Sequence, residues 1–140
     1  ARSGHDPKRG KVSLVVHTFV GSSNREVKRL VREPMTSYLK TYLAQFAKLG
    51  LAAAGGSDRD ARDVAAMAFE HYYETSTLLG TQGKCARVLE AVAAADADEL
   101  ACLIDFGLER ESVLAALPRL AELRRHFAKR EERAAGAAAH

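Results

Sequence analysis

Two polar side chains lie in or at the end of apolar segments, where parallel α/β proteins usually place their chemistry. His17 lies inside the apolar run 11–20, and Asp105 ends the apolar run 100–105. An imidazole and a carboxylate at such positions can exchange protons with a substrate or bind one of its polar atoms. The alternatives are a buried, hydrogen-bonded histidine and a carboxylate that caps a helix or pairs with an arginine. We therefore treat both residues as candidate catalytic groups, with these alternatives open.

The two apolar runs predict two β-strands. Residues 11–20 are rich in valine and apolar on both faces, and residues 100–105 show the same pattern. Strands of this kind are typical of parallel sheets that helices cover on both sides. We expect an α/β, helix-rich fold in which loops after the strands converge at one edge of the sheet.

Helical periodicity accounts for most of the remaining chain. Ser23 and Glu26 have the spacing of a capping box, and the helix that follows is expected to stop near Glu33 because Pro34 disfavours helical backbone before it. Further helices are expected from Pro34, from Ser57 and, with Thr81 as its cap, from about residue 82. A helix end is predicted at Gly50 or at Gly55-Gly56, and a kink or restart at Pro118. Residues 131–140 are predicted to form a flexible tail.

Apolar stripes indicate which helix faces pack on the core. The stripe after Pro34 contains two tyrosines, for which stacking on a cofactor is the alternative to a place in the core. The stripe residues are Met35, Tyr38, Leu39, Tyr42, Leu43 and Phe46 in one helix, and Val64, Met67, Ala68, Phe69 and Tyr72 in the next.

Charge and composition argue against several classes of function. The pI is 9.0, but the excess basic residues lie at both ends of the chain around an acidic centre, so we expect no nucleic-acid partner. No apolar run approaches the roughly 20 residues that span a bilayer, so no membrane partner is expected. Cys85 and Cys102 are expected to be reduced core thiols of a cytoplasmic protein, with a disulfide as the alternative. The histidines do not cluster with either cysteine, so no metal site is expected.

A pair of parallel strands leaves two outer edges without partners. An isolated pair is only marginally stable, and open edges promote pairing with other strands. The sequence therefore predicts that further strands or self-association cover these edges.

Five segments together resemble the C-terminal part of the bacterial-luciferase-like flavin-dependent monooxygenases, of the type associated with non-ribosomal peptide and polyketide synthases. Their order and spacing also fit, and they span nearly all of residues 4–127. The segments are GHDP (4–7), KVSLVVHTFVG (11–21), VREPMTSYL (31–39), AFEHYYETSTLLGT (68–81) and DELACLIDFG (98–107). One departure is Gln82-Gly83, where the family usually has Pro-Glu.

The resemblance implies that residues 1–130 are the last two strands and helices of a TIM-type (β/α)8 barrel. Residues 11–20 would be its seventh strand and 100–105 its eighth. The implied activity is oxidation by O2 with reduced FMN, on a small or carrier-bound substrate, in partnership with synthase modules.

The same resemblance places several residues at the mouth of the barrel. His17, Thr18 and Asp105 match mouth positions, and Phe19, Phe106 and Gly107 are expected to line the substrate pocket beside them. The main FMN contacts are expected outside this chain. We therefore expect the chain to be inactive without the N-terminal part of the barrel. The alternative is a non-catalytic helical interaction module derived from such an enzyme.

Overall fold

Three parallel strands and four helices make up the part of the chain that the computed structural model describes, residues 10–48 and 58–138. They follow in the order β1 (Ser13–Val20), α1 (Asn24–Lys48), α2 (Asp58–Thr75), β2 (Leu78–Gly80), α3 (Gln82–Ala94), β3 (Glu99–Leu103) and α4 (Arg110–Ala138). The expected α/β, helix-rich class is confirmed.

The central strand β1 has a different neighbour along each half of its length. The strand order is β2-β1-β3, and both pairings are parallel. Strand β3 pairs with Ser13–His17, whereas β2 pairs only with Thr18–Val20 on the other edge. The parallel pairing of the two predicted strands is confirmed. Strand β2 was not predicted, because its three residues are too short to show a period of two.

The sheet packs against helices on both faces, because neighbouring residues of a strand point to opposite sides. One apolar core lies under α1 and α2, and the other lies under α3 and α4. Core 1 contains Val27, Val31, Met35, Phe69, Tyr73, Leu79 and Phe106, and core 2 contains Val16, Val20, Leu78, Cys85 and Leu123.

Helix α1 continues through Pro34, so the predicted stop near Glu33 is wrong. A proline inside a helix removes one hydrogen bond and costs about 3 kcal/mol. Val27, Val31 and Met35 follow one another at four-residue spacing and are almost completely buried in core 1. Burial of this continuous stripe outweighs the cost of Pro34.

Other predicted helix boundaries had mixed outcomes. Helix α4 also contains Pro118 without interruption, and its backbone is helical to Ala138, past the start of the predicted tail. Thr81 caps α3 as predicted, since its hydroxyl accepts a hydrogen bond from the Lys84 amide. The Ser23 hydroxyl likewise accepts from the Glu26 amide at 3.4 Å. The predicted helix end at Gly50 or Gly55-Gly56 and the cap at Ser57 lie outside the described residues.

The predicted stripe of α2 is confirmed only in part. Phe69 is buried as predicted, but Val64 and Met67 are exposed, whereas Ala65 and Tyr73 are buried. The observed orientation places the Tyr73 hydroxyl 3.0 Å from the carbonyl oxygen of Asn24, to which it donates. In α1, Met35 is buried as predicted, but Tyr38 and Tyr42 are partly exposed and stack on each other.

The amino-terminal half of β1 is exposed, contrary to the expectation of a strand that is covered throughout. Val12, Leu14 and Val15 all present apolar surface to solvent, whereas the side chains from Val16 to Thr18 are buried. Both cysteines are free thiols; Cys85 is buried as predicted, but Cys102 is exposed. Burial raises the pKa of Cys85 to about 11. Across the described ranges, no helix combines the length and apolar character needed to cross a membrane.

The two methionines test which helix faces form the core. Met35→Ala should lower the free energy of unfolding by about 2–5 kcal/mol, because it leaves a cavity in core 1. Met67 is 74% exposed, so Met67→Ala should change it by less than about 0.5 kcal/mol. Urea unfolding of both variants measures the difference, and equal losses would contradict the packing described above.

Candidate functional site

His17 lies at the centre of an aromatic cluster toward the carboxyl end of β1. Its Nδ1 atom is 3.1 Å from the Tyr72 hydroxyl oxygen. The rings of Tyr38 and Phe106 meet the imidazole edge-on, with centroids 4.6 and 5.3 Å away. We call these four residues the His17 cluster. It joins β1, α1, α2 and the loop after β3.

One ring nitrogen of His17 has no partner among the residues that the structure describes. The side chain is only 5% exposed, and its Nε2 atom is buried without a hydrogen bond to any of them. An unsatisfied buried polar group costs about 1–3 kcal/mol. Such a group in a native fold calls for an explanation, of which a bound water or ligand atom is one.

Burial also governs the charge of this cluster. It lowers the pKa of His17 below its ordinary value of 6.5, so the imidazole is neutral at pH 7. Burial likewise raises the pKa of Tyr72 above 10, and the neighbouring Tyr38 and Tyr42 add to the shift. The cluster therefore offers an uncharged aromatic surface with one free nitrogen, suited to a largely apolar ligand with one polar atom.

The topology of the sheet brings His17 and Phe106 together. Strands β1 and β3 are parallel neighbours, and β3 ends at Leu103, opposite His17, so the loop that carries Phe106 begins beside His17. Gly107 turns the chain directly after Phe106, with a φ of +96°. This left-handed conformation suits glycine. The loop packs closely against α1 at this point, since a Cβ atom on Gly107 would lie 3.5 Å from the Cβ of Pro34.

The remaining predicted site residues do not join the His17 cluster. Thr18 is buried on the other face of β1, and its hydroxyl donates to the Val16 carbonyl at 3.0 Å. Phe19 is half-buried and packs against core 1. Asp105 is exposed after the end of β3, and within the described part of the chain it makes no hydrogen bond or ion pair.

Two tyrosines of the cluster were not predicted as partners of His17. Sequence periodicity assigned Tyr38 and Tyr72 to core stripes, with cofactor stacking by the α1 tyrosines as the alternative. Tyr72 lies next to the buried Tyr73, so its hydroxyl points to one side of α2 and reaches His17. The spacing of the tyrosines gave no indication of this contact, since it depends on how two helices pack on one strand.

A buried lysine stabilises the same end of the fold. Lys84 donates to the carbonyl oxygens of Tyr73 and Leu79, and its Nζ atom lies 3.2 Å from the Tyr73 ring centroid. Burial lowers the pKa of Lys84, although Glu74 at 4.0 Å opposes the shift. Lys84 therefore links the end of α2 to the end of β2.

Lys28 and Arg32 of α1 are paired with carboxylates of α2. Lys28 lies 2.8 Å from Glu70 and 3.2 Å from Glu74, and Arg32 also pairs with Glu70. These groups do not provide free charge for a phosphate. Among residues 10–48 and 58–138, no three potential metal ligands come together.

An apolar cavity of about 540 Å³ lies away from the cluster, between core 2 and α4, and its lining includes Leu100, Cys102, Leu120 and Phe127. Another, of about 390 Å³, follows the edge of β1, borders Tyr72 of the cluster and is described below.

No protein-family model and no curated protein matches this sequence.

The pKa of His17 predicts a pH-dependent stability. Because the folded state binds the proton less tightly than the unfolded state, stability should fall as the pH drops below 6.5 and should level off below the folded pKa. His17→Gln should reduce this dependence between about pH 7 and pH 5. The exposed His71 supplies the control, and His71→Gln should leave the profile unchanged. A wild-type slope that survives His17→Gln in urea unfolding would show that other groups produce it.

Loss of the Lys84 hydrogen bonds should destabilise the fold. Lys84→Met keeps an apolar chain of similar length but leaves the Leu79 carbonyl unpartnered, so the unfolding free energy should drop by about 1–3 kcal/mol. Lys11 forms only an exposed ion pair with Glu99, and Lys11→Met should change it by less than about 1 kcal/mol. Thermal and urea unfolding measure the stability of both variants. An unchanged unfolding free energy in Lys84→Met would mean that these hydrogen bonds contribute nothing to stability.

Proposed function

We propose that this chain is the C-terminal part of a luciferase-like flavin-dependent monooxygenase that acts in natural-product biosynthesis. The observation that carries the proposal is the direct parallel pairing of β1 with β3. The family resemblance implies that these segments are the seventh and eighth strands of a TIM-type barrel, which are neighbours in such a barrel. Active sites of these barrels lie at the carboxyl ends of the strands, where the His17 cluster is found.

In this proposal the His17 cluster forms one wall of the substrate pocket. Tyr38 and Phe106 supply apolar surface, and His17 supplies the hydrogen bond. Bound FMN would supply the redox chemistry with O2, since amino-acid side chains do not activate O2 in this way. Asp105 lies exposed at the rim, where a residue from another part of the barrel can meet it.

The open edge of β1 supports the need for a further part of the barrel. Backbone groups of successive strand residues point alternately to the two edges. The Val12 carbonyl accepts a hydrogen bond next to β3, whereas the Gly21 amide donates to Gly80 on the β2 side. Val15 is an even number of residues from Gly21, so its backbone groups also point to the side of β2. In the described part of the chain, β2 leaves that edge unpaired before Thr18.

A slot of about 390 Å³ lies along this edge. Tyr72 and Thr75 of α2 line it together with Ser76, which follows the helix, and α3 contributes an apolar face opposite. Val15 at its floor is 65% exposed. An extended strand with apolar side chains is the element that satisfies both the backbone groups and the apolar walls. The sixth strand of the proposed barrel would occupy this position.

Flavin binding provides the direct test of the proposed activity. The chain alone should show no retention of reduced FMN in anaerobic equilibrium dialysis. Coexpression with the N-terminal part of the parent barrel should produce a complex that retains it and consumes O2 with a reductase. Retention by the chain alone would contradict the need for the missing part, and failure of the complex to bind would contradict the flavin proposal.

Blocking the slot should prevent assembly. Val15→Pro removes the amide that points into the slot but leaves the pairing with β3 intact, and edge strands tolerate proline. This variant should fold yet fail to co-purify with the N-terminal part. Val15→Thr retains the amide and should still assemble. Equal recovery of the complex from both variants would rule out strand addition at this edge.

The alternative function, a non-catalytic interaction module, is favoured by the same exposed apolar residues, Val12, Leu14 and Val15. In that case another copy of the chain or a different protein covers the slot. Sedimentation separates the possibilities: a module of this kind self-associates or binds a partner while the complex retains no flavin.

A further inference from the structure

We propose that Tyr72 holds His17 in the tautomer that carries its proton on Nε2, so that His17 presents a hydrogen-bond donor to a carbonyl oxygen of the ligand. Tyr72 would be a positioning residue, and His17 the residue that contacts the ligand. The inference deepens the proposed function, because it assigns the substrate atom that the His17 cluster recognises.

We assign the Tyr72 hydroxyl as the donor in its hydrogen bond to His17, because the other direction would leave the hydroxyl proton without an acceptor among the described residues. Among the described residues, the Tyr72 hydroxyl has one hydrogen-bond partner, the Nδ1 atom of His17 at 3.1 Å. A phenol at neutral pH carries its proton, and an imidazole nitrogen is the acceptor within reach. If the hydroxyl donates, Nδ1 is the unprotonated nitrogen of the neutral ring. The proton of the ring is then on Nε2.

The Nε2–H group would be a buried donor without an acceptor, since Nε2 has no hydrogen-bond partner within residues 10–48 and 58–138. The groups that face the ring are Tyr38 from α1, Tyr72 from α2 and Phe106 from the loop after β3. None of them is charged at neutral pH. The missing partner is therefore an acceptor atom brought by a ligand or by water.

The uncharged surroundings select the class of acceptor. Desolvating a carboxylate or phosphate beside three uncharged aromatic rings is costly, whereas a carbonyl oxygen loses far less hydration energy. The neutral Nε2–H group also has no lone pair with which to remove a proton at that atom. His17 would thus polarise a carbonyl or orient it, and would not act as the general base in its resting state.

Nitrogen-15 NMR of the histidine side chains of the 140-residue chain tests the tautomer without flavin or turnover. In the wild-type chain, His17 should show a protonated Nε2 and an unprotonated Nδ1 at pH 7. Tyr72→Phe removes the donor, so the ring should shift to a mixture of tautomers. The hydrogen bond favours the neutral ring, so its loss should raise the His17 pKa. Tyr42→Phe is the control, since Tyr42 stacks on Tyr38 without a ring contact to His17.

A small neutral amide provides the ligand arm of the experiment. Titration with 2-pyrrolidinone should move the His17 Nε2 resonance, whereas acetate at the same concentration should not. Binding of the amide, followed through the backbone amide resonances of β1, should be lost in His17→Phe and retained in His17→Gln, whose side-chain amide can donate from a similar position.

A protonated Nδ1 in the wild-type chain, or a tautomer that Tyr72→Phe leaves unchanged, would overturn the role of Tyr72. An Nε2 resonance that responds to acetate rather than to the amide would overturn the carbonyl assignment. The proposed flavin chemistry is tested separately by FMN retention, so each idea can fail without the other.

Discussion

The hydrogen bonding of β1 is the constraint on which the rest of the fold depends. Buried backbone amides and carbonyls must be paired, and β1 has partners on both edges, although each partner covers only part of its length. Strand β3 satisfies one edge and fixes the register of the loop that carries Phe106. Strand β2 satisfies the other edge only from Thr18 onward. The His17 cluster lies next to the part of β1 that β2 pairs with, and the slot beside Val15 lies where β2 leaves the edge of β1 open.

The alternation of side chains along β1 separates structural from candidate functional residues. Val16 and Val20 point into core 2 under α3 and α4, whereas His17 points to the side of α1 and α2. Thr18 points to the same side of β1 as Val16 and Val20, and its hydroxyl donates a hydrogen bond to the Val16 carbonyl of its own strand. One strand thus buries an apolar face and also presents a polar ring to the helices that follow it.

Local signals in the sequence predicted the parts of the fold that depend on a few neighbouring residues. The apolar runs predicted β1 and β3, and the hydroxyl residues Ser23 and Thr81 predicted two helix starts. Pro34 was misleading because a local preference was outweighed by burial of Val31 and Met35 on either side of it.

The candidate site was predictable only where strand topology decides it. His17 and Phe106 meet because β3 ends opposite His17 in the parallel pairing, so the loop after β3 begins beside it. Tyr72 was not predicted as a partner of His17, because a one-residue change in the phase of α2 decides whether Tyr72 or Tyr73 lies in the core. Asp105 was expected at the end of a strand, but β3 already ends at Leu103, so the carboxylate lies in the exposed loop.

The most direct test of the central claim is the native size and flavin content of the assembly that contains this sequence in its source cell. An antibody against residues 58–80 would follow the sequence through size-exclusion chromatography of a fresh lysate, with flavin fluorescence read on the same fractions. The account predicts a species well above the 15.2 kDa of this chain that retains flavin. A compact 15.2 kDa monomer without flavin would contradict it, because β1 would then be stable with its edge uncovered.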